Sequence, residues 1–323
     1  MDDPANHGAL KVLHDPKDAR DPERAHVRIQ NEIKAMSEPT HPNLLKILDH
    51  DPHGKWYVSQ FHPNGSLARN KGRFAGNLPA ALRAFRPLVE GVAQLHKMGF
   101  VHRDIKPENV FLDMNDNLIL GDFGLIFFTD PQHTRVSGTV ENVGSRDWMP
   151  AWAMGMRVED VKPTFDVFTL GKLLWAMLAN KPMLRLWYFL DPEFNLEQIF
   201  PNTPSMRFAN ALFKKFIVEK EKDCLLDASA MLTEIDKMVC LLDSNADLIG
   251  DDVQRRCRAC GIGIYEPTER QYQFRTDWLA NYSSEIRSRF IRIFTCNHCG
   301  NIQLFDFDSG GGLTARTPPA WHK

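Results

Sequence analysis

The run VHRDIKPENV, residues 101–110, sets a histidine, two basic side chains, two acidic ones and an asparagine between apolar anchors. Asp104, Lys106 and Asn109 therefore stand at short, fixed spacing. Such a run brings groups able to exchange a proton, balance charge and offer an oxygen into one loop. A second set of reactive groups lies near the other end. CRACG (257–261) and CNHCG (296–300) carry Cys257, Cys260, Cys296 and Cys299, with 35 residues between the two pairs. Two CxxC turns supply the four thiolates of a tetrahedral zinc site. The glycine after each second cysteine permits a tight turn whose N–H groups can bond sulfur. Paired at this spacing, the cysteines favour structural zinc over a disulfide or a catalytic thiol. His298, inside the second knuckle, is not needed as a ligand when four cysteines are present. Cys224 and Cys240 stand alone.

The elements around these groups follow from periodicity. ALKVL (9–13) reads as a short buried strand, and residues 24–36 carry Val27, Ile29, Ile33 and Met36 near helical spacing. HPNLLKILDHD and KWYVSQFHPNGSL read as two strands around a turn. Residues 79–98 form an amphipathic helix with Leu82, Phe85, Leu88, Val89, Val92 and Leu95 on one face. Pro87 inside it is expected to kink it. VFLDMNDNLILGD reads as a hairpin turning at Asn115-Asp116-Asn117. Residues 125–150 form a long stretch of weak periodicity, of the length that marks functional or disordered loops. TFDVFTLGKLLWAMLA (164–179) is apolar nearly all round, the pattern of a central buried helix. Helices also fit 205–219 and 227–242. Residues 244–256 read as a linker, and 309–323 as a flexible tail. No internal repeat is visible.

The catalytic-loop run resembles that of protein kinases, and further pieces stand in that family's order. His102-Arg103-Asp104 and Asn109 match the catalytic loop, Asp122-Phe123-Gly124 the magnesium-binding DFG, and Asp166 the start of the central helix. Lys11 resembles the strand lysine, and Glu32, followed by His41-Pro42-Asn43, its partner glutamate. The resemblance covers residues 9 to about 242. It implies phosphoryl transfer from Mg-ATP to a protein hydroxyl, a reaction that needs positioning more than covalent help. Asp104 would accept the hydroxyl proton, and Lys106 would neutralise charge on the transferring group. Asn109 and Asp122 would supply oxygen ligands to Mg2+. Lys11 would hold the α- and β-phosphates, with Glu32 fixing its ammonium. Ser59 would stand at the back of the adenine pocket, and Gln60, Phe61 and His62 would form the hinge. Asp-x-Lys with a later Ser145 is similar to the serine/threonine subgroup. Arg103 suggests a loop activated by phosphorylation. Thr134, Ser137, Thr139 and Ser145 are the candidate hydroxyls, with Thr139 the first choice.

Two departures stand out. The family's glycine-rich loop should precede Lys11, but ten residues precede it and Gly8 is their one glycine. A start placed too late or a truncated gene would explain this. VGSRDWMPAWAMG, where the family ends its activation segment, has Met149-Pro150-Ala151-Trp152 and no glutamate. The arginine that pairs with that glutamate is also missing from EKDCLLDASAML. Losing one partner alone would cost about 3–5 kcal/mol. Losing both is nearly neutral if the space is refilled, so the lobe is expected to fold.

The expected architecture is α+β. A bilobal kinase-like fold has a small incomplete β-rich N-lobe (1–61) and a larger helical C-lobe (62–243). A linker (244–256), a small four-cysteine zinc-ribbon β domain (257–308) and the tail follow. At 43% hydrophobic and 25% charged residues the chain is an ordinary globular one. A formal net charge of −2 gives no global attraction to nucleic acid or an acidic membrane surface. No apolar run reaches the roughly 18 residues of a membrane helix. The polar N-terminus is no secretory signal, so a cytoplasmic location is expected. ATP and a protein substrate are the expected partners, with Mg2+ and Zn2+ as cofactors. The main alternative is a pseudokinase scaffold, inactive for want of the glycine-rich loop. A third reading makes the ribbon the working part, contacting protein or nucleic acid through Arg255, Arg256, Arg258, Arg287, Arg289 and Arg292.

Overall fold

Alternation in the first strands decides which side chains meet. The computed structural model describes residues 7–12, 22–124, 126–128, 147–157, 160–203, 205–247, 265–267, 290–300 and 302–307. The loop hydroxyls Thr134, Ser137, Thr139 and Ser145, the cysteines Cys257 and Cys260, and the tail lie outside them. The chain divides into two compact units, Met1–Val239 and Cys240–Lys323.

The first unit opens with an antiparallel sheet of β1 (Gly8–Val12), β2 (Ile47–His50) and β3 (Trp56–Gln60), with β3 central. Ala9 pairs with Ser59 and Lys11 with Tyr57. Cross-strand partners and i, i+2 neighbours share a face, so these four side chains point the same way. Helix α1 (Pro22–Ser37) buries Ile29, Ile33 and Met36, and also Glu32. The segment after it is tied to the lower lobe. Leu45 N–H donates to the Leu120 carbonyl at 2.7 Å, Leu120 N–H to the Asn43 carbonyl at 2.8 Å, and Asn43 Nδ2 to the Leu118 carbonyl at 2.9 Å.

The lower lobe is helical. Helix α2 (Leu78–Lys97) starts at Asn77, whose side chain accepts from Ala80 N–H at 3.2 Å, with proline in the first turn. Its Leu82, Phe85, Leu88, Val89, Val92 and Leu95 are wholly buried, each contributing about 1.5–3 kcal/mol of transfer free energy. The helix runs through Pro87 without interruption. Helix α3 (Thr164–Ala179) is buried at every residue and ends on Asn180 in the left-handed region, φ 53°. A Cβ on Gly171 would lie 2.7 Å from Phe216 Cβ, so glycine sets how closely α3 approaches the later helix. A short helix α4 (Leu196–Ile199), α5 (Met206–Phe216) and the first part of α6 (Ala228–Asp247), whose residues from Cys240 belong to the second unit, complete the lobe. α6 continues to Asp247, so the first residues of the expected linker are helical. Two ribbons carry the functional loops: β4 (Phe100–Val101) pairs with β7 (Phe127–Phe128), and β5 (Val110–Leu112) with β6 (Leu118–Leu120). A small β-rich lobe followed by a larger helical one is the α+β arrangement expected for this part. Among the described residues, no helix is long and apolar enough to cross a membrane.

In the second unit, β8 (Tyr265–Pro267), β9 (Phe290–Cys296) and β10 (Ile302–Phe307) form an antiparallel sheet in the order β10–β9–β8. CNHCG makes the turn from β9 to β10.

Candidate active site

The loop between β4 and β5 is hung on one buried carboxylate. Asp166, in the first turn of α3, accepts from His102 N–H at 2.7 Å and Arg103 N–H at 2.8 Å. Arg103 sits at φ 68°, a conformation an L-residue avoids unless its surroundings impose it. His96 of α2 donates from Nε2 to Asp166 at 3.0 Å and accepts from Ala228 N–H at Nδ1, 3.1 Å away. One imidazole thus joins α2, α3 and α6. Burial alone would raise the Asp166 carboxyl, but the hydrogen bonds from His96 and the Arg103 N–H hold it below its usual range.

His102 is wholly buried and edge-on to Phe123, with ring centres 5.1 Å apart. Its Nδ1 accepts from Asp104 N–H at 3.3 Å, and its Nε2 lies 3.2 Å from the Gly121 carbonyl. A carbonyl can only accept, so the ring is the neutral Nε2–H tautomer. Burial lowers its pKa in the same direction. His102 thereby couples the catalytic loop to the Asp-Phe-Gly segment.

On this frame Asp104 is clamped. Lys106 Nζ lies 2.9 and 2.8 Å from its two carboxylate oxygens, and Asn109 Nδ2 donates to Oδ2 at 2.8 Å and to the Asp104 carbonyl at 2.8 Å. Gly121 N–H donates to the Asn109 carbonyl at 2.8 Å, which brings Asn109 beside the Asp122 backbone. Asp122 adopts φ 55° and leaves its carboxylate about half exposed at 48%.

From the upper lobe, Lys11 Nζ reaches Glu32 at 2.7 and 2.9 Å and Asp122 Oδ1 at 3.4 Å. Burial would lower the Lys11 pKa, but the Glu32 and Asp122 carboxylates outweigh it and hold the ammonium above its usual range. Glu32 is raised by burial, against the charges and hydrogen bonds of Lys11 and Tyr57. Lys11, Glu32, Asp122, Asn109 and Asp104 thus form one continuous set.

Beside it opens a cavity of about 310 Å³, whose lining includes Ala9, Leu45, Ser59, Gln60, His62 and Phe111. Gln60, Phe61 and His62, the expected hinge residues, all line it. His62 stacks on Phe111 at 6.0 Å and 16°. A Cβ on Gly121 would meet Phe111 Cε2 at 2.7 Å, so glycine makes room for the aromatic floor.

Asn109 and Asp122 suit a hard cation such as Mg2+. Asn109 commits its nitrogen to Asp104, which leaves its carbonyl oxygen for a metal, and Asp122 adds an exposed carboxylate. Among the described residues no group of three or more histidine, cysteine or acidic side chains is placed to hold a metal ion. Of the four zinc-ligand candidates, Cys296 and Cys299 are described, and neither is in a disulfide. Cys296 Sγ accepts the N–H groups of His298 and Cys299 at 3.4 Å each, and Gly300 follows at φ 71°.

Among the described residues, aromatic packing fills the end of the activation segment. Trp152 stands edge-on to Phe168 at 5.0 Å, and Met149 packs with Val101, Ala153, Val161 and Phe165. Glu221 accepts from Thr164 at 3.0 Å and pairs with Lys162 at 3.3 Å. Aromatic packing and a surface pair occupy the region. Lys172, in the middle of α3, donates to the Asp147 carbonyl and lies 5.6 Å from the Phe168 ring centre and 5.9 Å from that of Trp148. Burial pushes its pKa down to about 8.

Sequence reasoning missed His96, Tyr57, Phe111, Gly121 and Lys172. Lys172 did leave a signal, as the one cation inside a nearly continuous apolar helical run. Phe111 and Gly121 left none, since their roles exist only once the hairpin has folded.

The chain matches the protein kinase domain family over residues 2–223. It is 30% identical over 180 residues to the serine/threonine-protein kinase KIN4 of Saccharomyces cerevisiae, covering 53% of this chain and 21% of that protein. It is 31% identical over 195 residues to the cAMP-dependent protein kinase catalytic subunit PRKX of Mus musculus, covering 59% and 50%. With Aurora kinase A-A of Xenopus laevis it shares 29% over 180 residues, covering 54% and 41%. The chain spans half or less of these relatives' lengths. With the catalytic loop, the Asp-Phe-Gly aspartate and the lysine–glutamate pair gathered in one place, the chain belongs to the protein kinase domain family.

Proposed function

We propose that this chain is an ATP-dependent serine/threonine protein kinase. The observation that supports it most is the continuous set from Lys11 and Glu32 through Asp122 and Asn109 to Asp104, beside a cavity of about 310 Å³. Mg-ATP, when bound, supplies the phosphoryl group and the charge balance of the metal. Gln60 and His62 line the base-binding end, and Lys11 meets the phosphates with Glu32 behind it. Asn109 and Asp122 would hold the cation by oxygen. Asp104 takes the proton from the acceptor hydroxyl, its carboxylate aimed by the Asn109 amide. Lys106 leaves Asp104 for the developing negative charge as the acceptor arrives. Arg103, next to Asp104, can pair with a phosphate on the loop that follows.

Phosphoryl transfer to a serine/threonine peptide should fall at least a hundredfold in Asp104→Asn, with nucleotide affinity retained. Transfer that survives this change would remove Asp104 from its role. A wild-type chain that binds nucleotide and transfers nothing would be a pseudokinase scaffold instead.

The knuckle at Cys296 supports a four-cysteine zinc ribbon completed by Cys257 and Cys260. Two N–H donors to one sulfur are the stabilisation a thiolate ligand needs. The ribbon would serve to stabilise the second unit and to target the kinase.

A further inference from the structure

Tyr57 lies on β3 directly opposite Lys11 of β1, and both side chains reach the same carboxylate. Its hydroxyl donates to Glu32 Oε1 at 2.8 Å, while Lys11 bonds Oε1 at 2.7 Å and Oε2 at 2.9 Å. The Lys11 ammonium also stands 5.7 Å from the centre of the Tyr57 ring. Tyr57 is 4% exposed and Glu32 2%, so water cannot replace a lost partner cheaply.

An ammonium has three protons. Here they face the two Glu32 oxygens and Asp122, so a phosphate can be served only if Lys11 loosens one of these bonds. With Lys11 as its one partner, a buried Glu32 would resist that, because an unpaired buried carboxylate is costly. Tyr57 supplies a second donor that does not move with Lys11. It comes from a central strand, so it also fixes where α1 sits against the sheet.

We infer that Tyr57 is a positioning residue for the nucleotide: its hydroxyl holds the Glu32 carboxylate, and α1 with it, so that Lys11 can turn part of its ammonium to a phosphate. This rests on the reading of Lys11 as the phosphate-binding lysine. The deep burial and carboxylate contact also hold the phenol in its neutral, donating form.

The test compares Tyr57→Phe with the wild-type full chain. The ring stays, so packing is preserved and the hydroxyl alone is removed. In the nucleotide-free protein, amides of residues 29–36 should exchange about tenfold faster, with α2 and α3 unchanged. Mg-ATP should bind about tenfold more weakly, with the KM for an acceptor peptide unchanged. In a Glu32→Ala background the Tyr57→Phe change should have no further effect on nucleotide affinity. Unchanged exchange in α1, or unchanged nucleotide affinity, overturns the assignment. So does faster exchange in every helix with a lower melting temperature, which would mark Tyr57 as packing only. Peptide phosphorylation by wild type against Asp104→Asn judges the kinase reading separately. If wild type transfers no phosphate, that reading falls, and exchange in α1 still decides whether Tyr57 holds the helix.

Discussion

Gly121 precedes the aspartate of the Asp-Phe-Gly run, and Phe111 stands where its side chain would be. A methyl group there would lie 2.7 Å from Phe111 Cε2 and 3.1 Å from Leu45 Cδ2, inside van der Waals contact with both. Phe111 lines the cavity, so the ring must tilt into the nucleotide's space or the hairpin must shift. Gly121→Ala is expected to lose about 1–3 kcal/mol of stability by overpacking and to weaken nucleotide binding. Adding Phe111→Leu should recover affinity, as read by calorimetry; a double variant no better than Gly121→Ala would contradict the steric account. At this scale the closeness of the candidate catalytic groups was legible, because Asp104, Lys106, Asn109 and Asp122 are spaced by one loop and one hairpin. Tyr57 and Phe111 were not. Each acts on a residue brought near by the fold, Tyr57 across 25 positions to Glu32, and in sequence each is an ordinary aromatic residue of a strand.

At the scale of elements, α3 was legible from its nearly continuous apolar run, and its burial at all sixteen residues agrees. What the run hid was its one cation. Lys172 stays inside because the Asp147 carbonyl and two aromatic faces receive its ammonium. The anchor is not free of cost, since burial pushes its pKa down to about 8 from 10.5. At pH 7 both folded and unfolded chains carry the proton, and the folded state bears the full burial penalty. Between about pH 8 and 10.5 the folded state releases the proton while the unfolded chain keeps it. The unfolded state then binds more protons, so stability rises with pH across that window. Lys172→Met should remove this rise, which amounts to about 3 kcal/mol at 1.36 kcal/mol per pKa unit. Urea unfolding at pH 7 and pH 10 measures it. Equal pH slopes in the two proteins would mean the lysine is solvated. The same substitution frees the Asp147–Pro150 turn that packs beneath Val101, so peptide phosphorylation should fall even where the variant is the more stable protein.

For the whole molecule, motif order told more than composition did. The candidate catalytic and nucleotide groups all belong to Met1–Val239, and the four CxxC cysteines to Cys240–Lys323. The polar stretch after residue 243 hid the end of α6, because a helix whose closing turn is polar and acidic looks like a linker in sequence. The described sheet of this unit is small, with β8 spanning three residues, and a small unit needs a staple to offset its chain entropy. A metal held by four thiolates would provide it, with binding free energy acting as folding free energy. The full chain should therefore carry one zinc by elemental analysis. Cys299→Ser should lose the metal and expose the amides of β9 and β10 to rapid hydrogen exchange. A zinc-selective chelator that leaves Mg2+ in place should do the same to wild type. Nucleotide affinity should stay within about twofold in both cases, because every group assigned to the nucleotide lies in the other unit. A chain without zinc whose β9 and β10 amides remain protected would show that the sheet stands without the staple, and the CxxC pairs would then need another explanation.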